Sequence, residues 1–301
     1  MSNAAVDTAR GASPGGRLGE RDWLQRLLAR PSIEITVKHQ DQIGPLRDQF
    51  APGTEVFIAI LPKQSLEKSA EAAKALATAG FTPVPHIAAR GVESLEALQS
   101  FLARATGEAG VDRVLAIAGD IDAPRGPFTS VMDMLETGAI QAAGVERLFL
   151  AGHPDRHPVM PLDELDAALA AKVKRAEADG LATTVVTQFC FEAAPFMRLL
   201  DRMARHGIAS PLRFGLAGPA SPKTLATYAM RCGVSASTRV ITRQTSLMAR
   251  LFGNSGPDRL VQQLARALAD RPHPPVDGIH MFPFGGVTQT GQWLTRMRAR
   301  G

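Results

Sequence analysis

The chain has 301 residues, 45% hydrophobic and 21% charged, which allows a large core and argues against general disorder. Its net charge of +5 (34 Lys and Arg against 29 Asp and Glu) suits an anionic small molecule, while one tyrosine and 5% aromatics argue against a base-stacking nucleic-acid platform. Cys190 and Cys232, the two cysteines, build neither a disulfide framework nor a zinc pattern and point to a reducing cytoplasm. No apolar run approaches the ~18 residues of a membrane span, and the N-terminus lacks the apolar stretch of a signal peptide.

In chain order, residues 1–20 are rich in Gly, Ala, Ser and charge and read as a flexible tail. The remainder, 21–301, reads as one domain. Residues 22–29 predict a short helix with Trp23, Leu27 and Leu28 on one side, ended by Pro31. Apolar runs then predict strands at 33–37, 55–61, 82–87, 113–118, 147–151, 183–187, 212–217 and 278–282. Helical patterns lie at 41–49, 65–79, 93–106, 129–142, 162–179, 193–206, 221–232, 243–252 and 257–270. Ser65 opens one of them as a polar cap, and Gly80, Gly180 and Gly207 follow others, where a left-handed C-cap needs no Cβ. The strands are β-branched or Leu-rich without clean alternation, as when both faces are covered. Eight β/α units with no composition break predict a single (β/α)8 barrel rather than a doubly wound sheet.

In such a barrel the chemistry gathers where the strands end. Glu34 stands alone in the apolar strand Ile33-Glu34-Ile35-Thr36-Val37. Burial would raise its pKa into the range of a general acid, and the alternative is a structural ion pair with an arginine. Strand three ends in Pro85-His86 and strand four in Gly119-Asp120. Gly119 lets backbone approach a ligand, and Asp120 either accepts from a ring edge or caps a turn. His153 and His157 have the spacing of a metal pair, but Pro154 and Pro158 exclude a regular helix there, which leaves loop structure or a phosphate contact as the alternative. Gln188 ends strand six; its amide matches a lactam-like ring or satisfies loop backbone. Phe189 and Phe191 read as core. Strand eight ends near His280 and Phe282. No GxGxxG fingerprint, P-loop or GxSxG elbow is present.

Taken in order, Glu34, Pro85-His86, Gly119-Asp120, His157-Pro158, Thr187-Gln-Phe-Cys-Phe191 and Gly278-Ile-His-Met-Phe282 resemble the landmarks of the methylenetetrahydrofolate reductase family. The resemblance covers about 32–284. Each motif is short; their order and spacing carry the specificity. The resemblance implies a (β/α)8 barrel and hydride transfer between a nicotinamide and folate, converting 5,10-methylene-tetrahydrofolate to 5-methyl-tetrahydrofolate, usually through FAD. It implies that Glu34 is the general acid opening the methylene bridge, that Asp120 and Gln188 bind the pterin, and that Phe252 packs on folate or nicotinamide. The cofactor-binding positions it implies are His86, Gly119, His157 and Lys172.

There are departures. Ala118 replaces an arginine, His86-Ile-Ala-Ala replaces His-Leu-Thr-Cys, and a tyrosine after strand five is replaced around Gly152. Ala118 and Gly152 count against FAD. The expectation is therefore a folate oxidoreductase using NAD(H) or NADP(H), with hydride passing directly and oxidation of 5-methyl-tetrahydrofolate a working direction. The alternatives are a conventional FAD-dependent reductase and a non-catalytic folate-binding partner of a methyltransferase. The partner expected is a small-molecule folate, with neither nucleic acid nor membrane; homo-oligomerisation is left open.

Overall fold

A computed structural model of the chain describes residues 17–37, 42–61, 64–155, 157, 160–232 and 256–300. The expected tail up to residue 16, the helix expected at 243–252 and Phe252 lie outside the described residues. Eight parallel strands close in sequence order: β1 (Ser32–Thr36), β2 (Glu55–Ala59), β3 (Thr82–Ala88), β4 (Arg113–Ile117), β5 (Arg147–Gly152), β6 (Ala182–Thr187), β7 (Leu212–Ala217) and β8 (Val276–Phe282). Closure is made by β1 against β8, with Ser32 beside His280 and Ile33 beside Met281. An open doubly wound sheet has no such pairing, so the chain is a single (β/α)8 barrel.

The helices are α1 (Glu20–Ala29), α2 (Ile43–Gln49), α3 (Leu66–Thr78), α4 (Leu95–Ala109), α5 (Val131–Glu136), α6 (Ala139–Ala142), α7 (Leu162–Ala178), α8 (Ala193–Arg205), α9 (Pro222–Arg231), α10 (Asp258–Ala269) and α11 (Val287–Arg300). Their ends follow local chemistry. Ser65 Oγ accepts from the Lys68 N–H at the start of α3, and Ser94 does the same for Ala97 at the start of α4. Gly110 closes α4 in the left-handed conformation.

Two segments differ from the sequence expectation. The helix expected over 129–142 is interrupted by Gly138, at φ 68°, giving α5 and α6. The C-terminal helix α11 has no counterpart among the expected helices. Its buried face includes Thr290 and Gly291 beside Val287, Trp293, Leu294 and Met297, so its apolar periodicity is weak. A Cβ at Gly291 would lie 2.4 Å from Gln49 Cβ, so only a glycine allows that approach to α2. Arg298 of α11 also donates to the Leu28 and Ala29 carbonyls at the end of α1, which have no partner within their own helix.

The barrel interior is layered. At the N-terminal end Arg213 pairs with Glu55 and Asp277, and Arg113 pairs with Glu55 and Asp112. Above this charged floor lies an apolar layer of Phe57, Val84, Leu115, Phe149 and Val186. Phe57 and Phe149 meet edge to face at 4.9 Å. The interior is thus a packed core from the floor to mid-height, and only the C-terminal end is left to hold a ligand.

Candidate active site

Above the apolar layer three polar side chains meet. Glu34 comes from the middle of β1, His86 from β3 and His280 from β8. His86 Nε2 lies 3.6 Å from Glu34 Oε2, and His280 Nε2 lies 3.7 Å from the same oxygen. Both imidazoles rest edge-on against Phe57, with ring centroids at 6.0 and 4.5 Å. His280 Nδ1 shares a hydrogen bond of 2.9 Å with Ser32 Oγ, and His86 Nε2 is buried without a hydrogen-bond partner.

Burial sets the protonation of this group. It raises the Glu34 carboxyl above the ordinary carboxylate range, and the nearby His86 imidazole offsets this only in part. It lowers His86 to about 4 and His280 to about 3, so both rings are neutral at pH 7. In His86 the Glu34 charge works against burial; in His280 the Arg213 charge reinforces it. Charges on the barrel floor therefore reach this layer. No cation stands within ion-pair distance of Glu34 among the described residues, so the structural pairing with an arginine left open by the sequence is not realised there. A carboxyl whose proton affinity is raised by desolvation is suited to general acid work.

The remaining expected site residues stand around the same mouth. Gly119 and Asp120 follow β4. Gly119 has φ 96°, which calls for a glycine, and a Cβ there would lie in tight contact, 3.2 Å from Ala88 Cβ. Asp120 is exposed. Its charge and that of Glu34 both act on the Cys232 thiol at the end of α9, which burial first of all pushes up to about 11. Gln188 follows β6: its backbone N–H donates to the Gly152 carbonyl at 2.9 Å, and its Oε1 accepts from the Phe189 N–H at 3.2 Å. Its carbonyl end is therefore used locally, and the NH2 end is the one open to a ligand. Phe189 and Phe191 are buried with Ala217, Leu225 and Ala229.

His157 and Lys172 stand apart from Glu34, in a corner between the loop after β5 and helices α7 and α8. The His153 and His157 rings meet edge to face at 5.1 Å, and the Met160 N–H donates to His157 Nδ1. His153 is lowered to about 4 by burial and then by the positive field of His157, Lys172 and Arg202. Burial also lowers Lys172. Asp166 of α7 is held by Arg202 at 2.7 Å, while Arg202 Nη2 also donates to the His153 carbonyl. What results is a cationic, partly desolvated corner suited to an anion. No group of three metal-ligating side chains is found among the described residues.

The two departures that bear on FAD come out differently. Ala118 is exposed at the end of β4. The guanidinium beside it is that of Arg90, which donates to the Thr129 carbonyl at 3.0 Å and the Ile121 carbonyl at 3.4 Å. Its Nε and Nη1 are thus turned toward carbonyls of the loop after β4. Gly152, by contrast, cannot be where an aromatic was lost. A Cβ there would lie 2.7 Å from Val185 Cγ1 and 3.3 Å from Leu199 Cδ2, pointing into the core behind the barrel wall. The next residue, His153, is the one that presents a ring, so Gly152 says nothing about flavin.

Sequence reasoning passes over His280 and Ser32 as site residues. The available signal is the one that marks Glu34, a lone polar side chain inside an apolar strand (Ile279-His280-Met281).

The family model described as methylenetetrahydrofolate reductase matches residues 61–281, well over half of the chain. The matched span contains His86, Asp120, His157, Lys172, Gln188 and His280 and begins after Glu34. Among solved structures the chain is similar to a dihydropteroate synthase from Thermus thermophilus, with 14% identity over 90% of this chain and 95% of that chain and a TM-score of 0.48. No helix among the described residues is long and apolar enough to cross a membrane.

Proposed function

The chain belongs to the methylenetetrahydrofolate reductase family, and from that membership we propose that it interconverts 5,10-methylene- and 5-methyl-tetrahydrofolate with NAD(H) or NADP(H) as hydride partner and no flavin. The observation that carries the reading is the Glu34 carboxyl, desolvated beneath the mouth and faced at 3.6 and 3.7 Å by two neutral imidazoles. Binding a pterin needs no such acid. A non-catalytic folate carrier therefore accounts for less of the site than an enzyme does.

In the reducing direction Glu34 gives its proton to the bridge nitrogen that leaves the one-carbon unit, generating the iminium that accepts hydride. In the oxidising direction the Glu34 carboxylate takes that proton back. Burial keeps the proton affinity of the carboxyl high, and His86, itself pushed toward the neutral form, offsets this only in part. Asp120 accepts from the donor edge of the pterin, and the Gln188 NH2 group donates to its carbonyl. The nicotinamide supplies the hydride chemistry, which requires C4 and the carbon at N5 to approach to about 3–3.5 Å. The His153, His157 and Lys172 corner offers an anion subsite for a phosphate or a folate carboxylate.

The flavin-free part of the reading is supported by Ala118 and by the commitment of Arg90 to loop carbonyls. Direct transfer removes the flavin potential as an intermediate step and makes oxidation of 5-methyl-tetrahydrofolate a working direction. The test is to record the visible spectrum of the purified protein and to assay folate-dependent NADH formation and consumption with and without added FAD. Turnover by a colourless protein is expected. Stoichiometric bound flavin, or activity only when FAD is supplied, restores the conventional FAD-dependent reductase.

A further inference from the structure

The loop between β4 and α5, residues 118–130, carries Gly119 and Asp120 and contains neither helix nor strand. A loop of that length keeps one conformation only when contacts outside it hold its backbone. Arg90, in the short turn after β3, meets it four times. Its backbone N–H donates to the Ala118 carbonyl at 2.9 Å, and its carbonyl accepts from the Arg125 N–H at 2.8 Å. Its Nε donates to the Thr129 carbonyl at 3.0 Å and its Nη1 to the Ile121 carbonyl at 3.4 Å. The four partners run from one end of the loop to the other.

The backbone bonds do not depend on the side chain at position 90; the other two do. The far half of the loop has further anchors. A Cβ at Gly126 would lie 2.2 Å from the Glu93 carbonyl oxygen, Phe128 is buried, and the Asp133 carboxylate accepts from the Thr129 and Ser130 N–H groups. The near half holds Asp120, and the guanidinium bond to Ile121 falls there, one residue past the carboxylate. On the other side of Asp120 stands Gly119, the residue type with the least backbone stiffness. The direction of Asp120 is therefore set from the Ile121 side. A planar guanidinium can hold two carbonyls of one loop at once, whereas an ammonium presents its donors from a single point.

We propose that Arg90 is a positioning residue for the folate: its guanidinium, bonded to the Ile121 and Thr129 carbonyls, holds the loop so that the Asp120 carboxylate meets the pterin in a fixed direction. Asp120 is exposed, and ordering an exposed side chain on binding costs affinity. With the loop held, that ordering is completed on folding. This inference rests on the proposed contact between Asp120 and the pterin and deepens it.

The experiment is calorimetric titration of the full chain with 5-methyl-tetrahydrofolate, for Arg90→Met, Arg90→Lys, Asp120→Ala and the double variant Arg90→Met with Asp120→Ala. Amide hydrogen exchange of the ligand-free proteins accompanies it. Arg90→Met should speed exchange in the loop after β4, leave the barrel strands as protected as in wild type, and bind the folate about tenfold more weakly. Arg90→Lys, which keeps the charge but not the fork, should fall between. The double variant should lose no more affinity than Asp120→Ala alone, because the guanidinium acts through that carboxylate; a merely structural loss would add to it. Wild-type folate affinity in both Arg90 variants, unchanged loop exchange, or additive losses in the double variant overturns the positioning role, and a weakened Asp120→Ala beside any of these leaves the pterin contact standing. Wild-type affinity in Asp120→Ala overturns the pterin contact and the positioning role with it.

Discussion

The two ends of the barrel treat charge in opposite ways. On the floor, Arg213 is shared between Glu55 and Asp277, and Arg113 between Glu55 and Asp112. Arg147 donates to Thr184. At the mouth, Glu34 faces two neutral imidazoles, and Lys172 sits among other cationic groups with no ion pair among the described residues. Both ends are substantially desolvated, so burial alone does not distinguish them. Pairing does. A buried charge that has its partners serves the fold, whereas one left without them keeps a shifted pKa and is available for chemistry.

If that contrast is right, single substitutions should separate stability from turnover. Glu34→Gln preserves size but removes the acid, so turnover should fall by about 10²–10⁴-fold. Folate affinity should be largely kept and thermal stability unchanged or raised, since a poorly solvated carboxyl is lost. Steady-state kinetics with folate titration and a melting curve check this. Turnover like wild type would move the proton source elsewhere.

Arg213→Met should do the reverse. It removes the cation shared by Glu55 and Asp277, although Glu55 keeps Arg113 and Asp277 is exposed, so the cost should be about 1–2 kcal/mol in unfolding free energy, below that of a fully buried pair. The folded fraction should keep most of its turnover, because burial, rather than the Arg213 charge, is the larger cause of the low His280 pKa. Denaturant unfolding beside kcat measures it, and a collapse of kcat without loss of stability would make the floor part of the site.

At the rim, Gln188→Ala removes the NH2 donor assigned to the pterin. A hydrogen-bonding site that loses a partner gives up about 1–3 kcal/mol, so folate binding should weaken roughly tenfold or more. Equal affinity would place the pterin elsewhere.

The contrast also shows in the pH dependence of stability. His86, His153 and His280 fold with pKa values of about 4, 4 and 3, below the ordinary 6.5. The unfolded chain therefore binds more protons, and stability is lost as pH falls from about 6.5 toward 4. Each imidazole contributes up to about 1.4 kcal/mol per pH unit. Glu34, raised, acts in the opposite sense above 4.5. One carboxyl against three imidazoles leaves the net trend downward on acidification. Replacing His280 by glutamine should flatten it, as equilibrium unfolding across that window would measure.

Most of the barrel is legible in the sequence because the first seven strands are apolar runs followed by helical patterns, and because Gly80, Gly180 and Gly207 mark helix ends with φ of 89°, 78° and 68°. Helix α11 is not legible because its buried face is built partly of Thr290 and Gly291, which no hydrophobic periodicity reports. Within the site, Glu34 is conspicuous as a carboxylate in an apolar strand. Its juxtaposition with His280 is not, because the two are brought together only when β1 closes on β8. Gly152 misleads for a similar reason. Residue type at a strand end says nothing of whether a side chain there would face the mouth or the helices, and the 2.7 Å approach to Val185 decides for the helices.

The contrast between the two ends turns on whether Glu34 holds its proton in the folded protein. Titration of 13C-carboxyl-labelled glutamate by NMR, with Glu34 assigned by its absence in Glu34→Gln, reads this directly. A Glu34 carboxyl that titrates clearly above the ordinary 4.5 is the expected result. Titration at or below 4.5 would mean that the mouth holds a fully ionised carboxylate, and that Glu34 is not the acid.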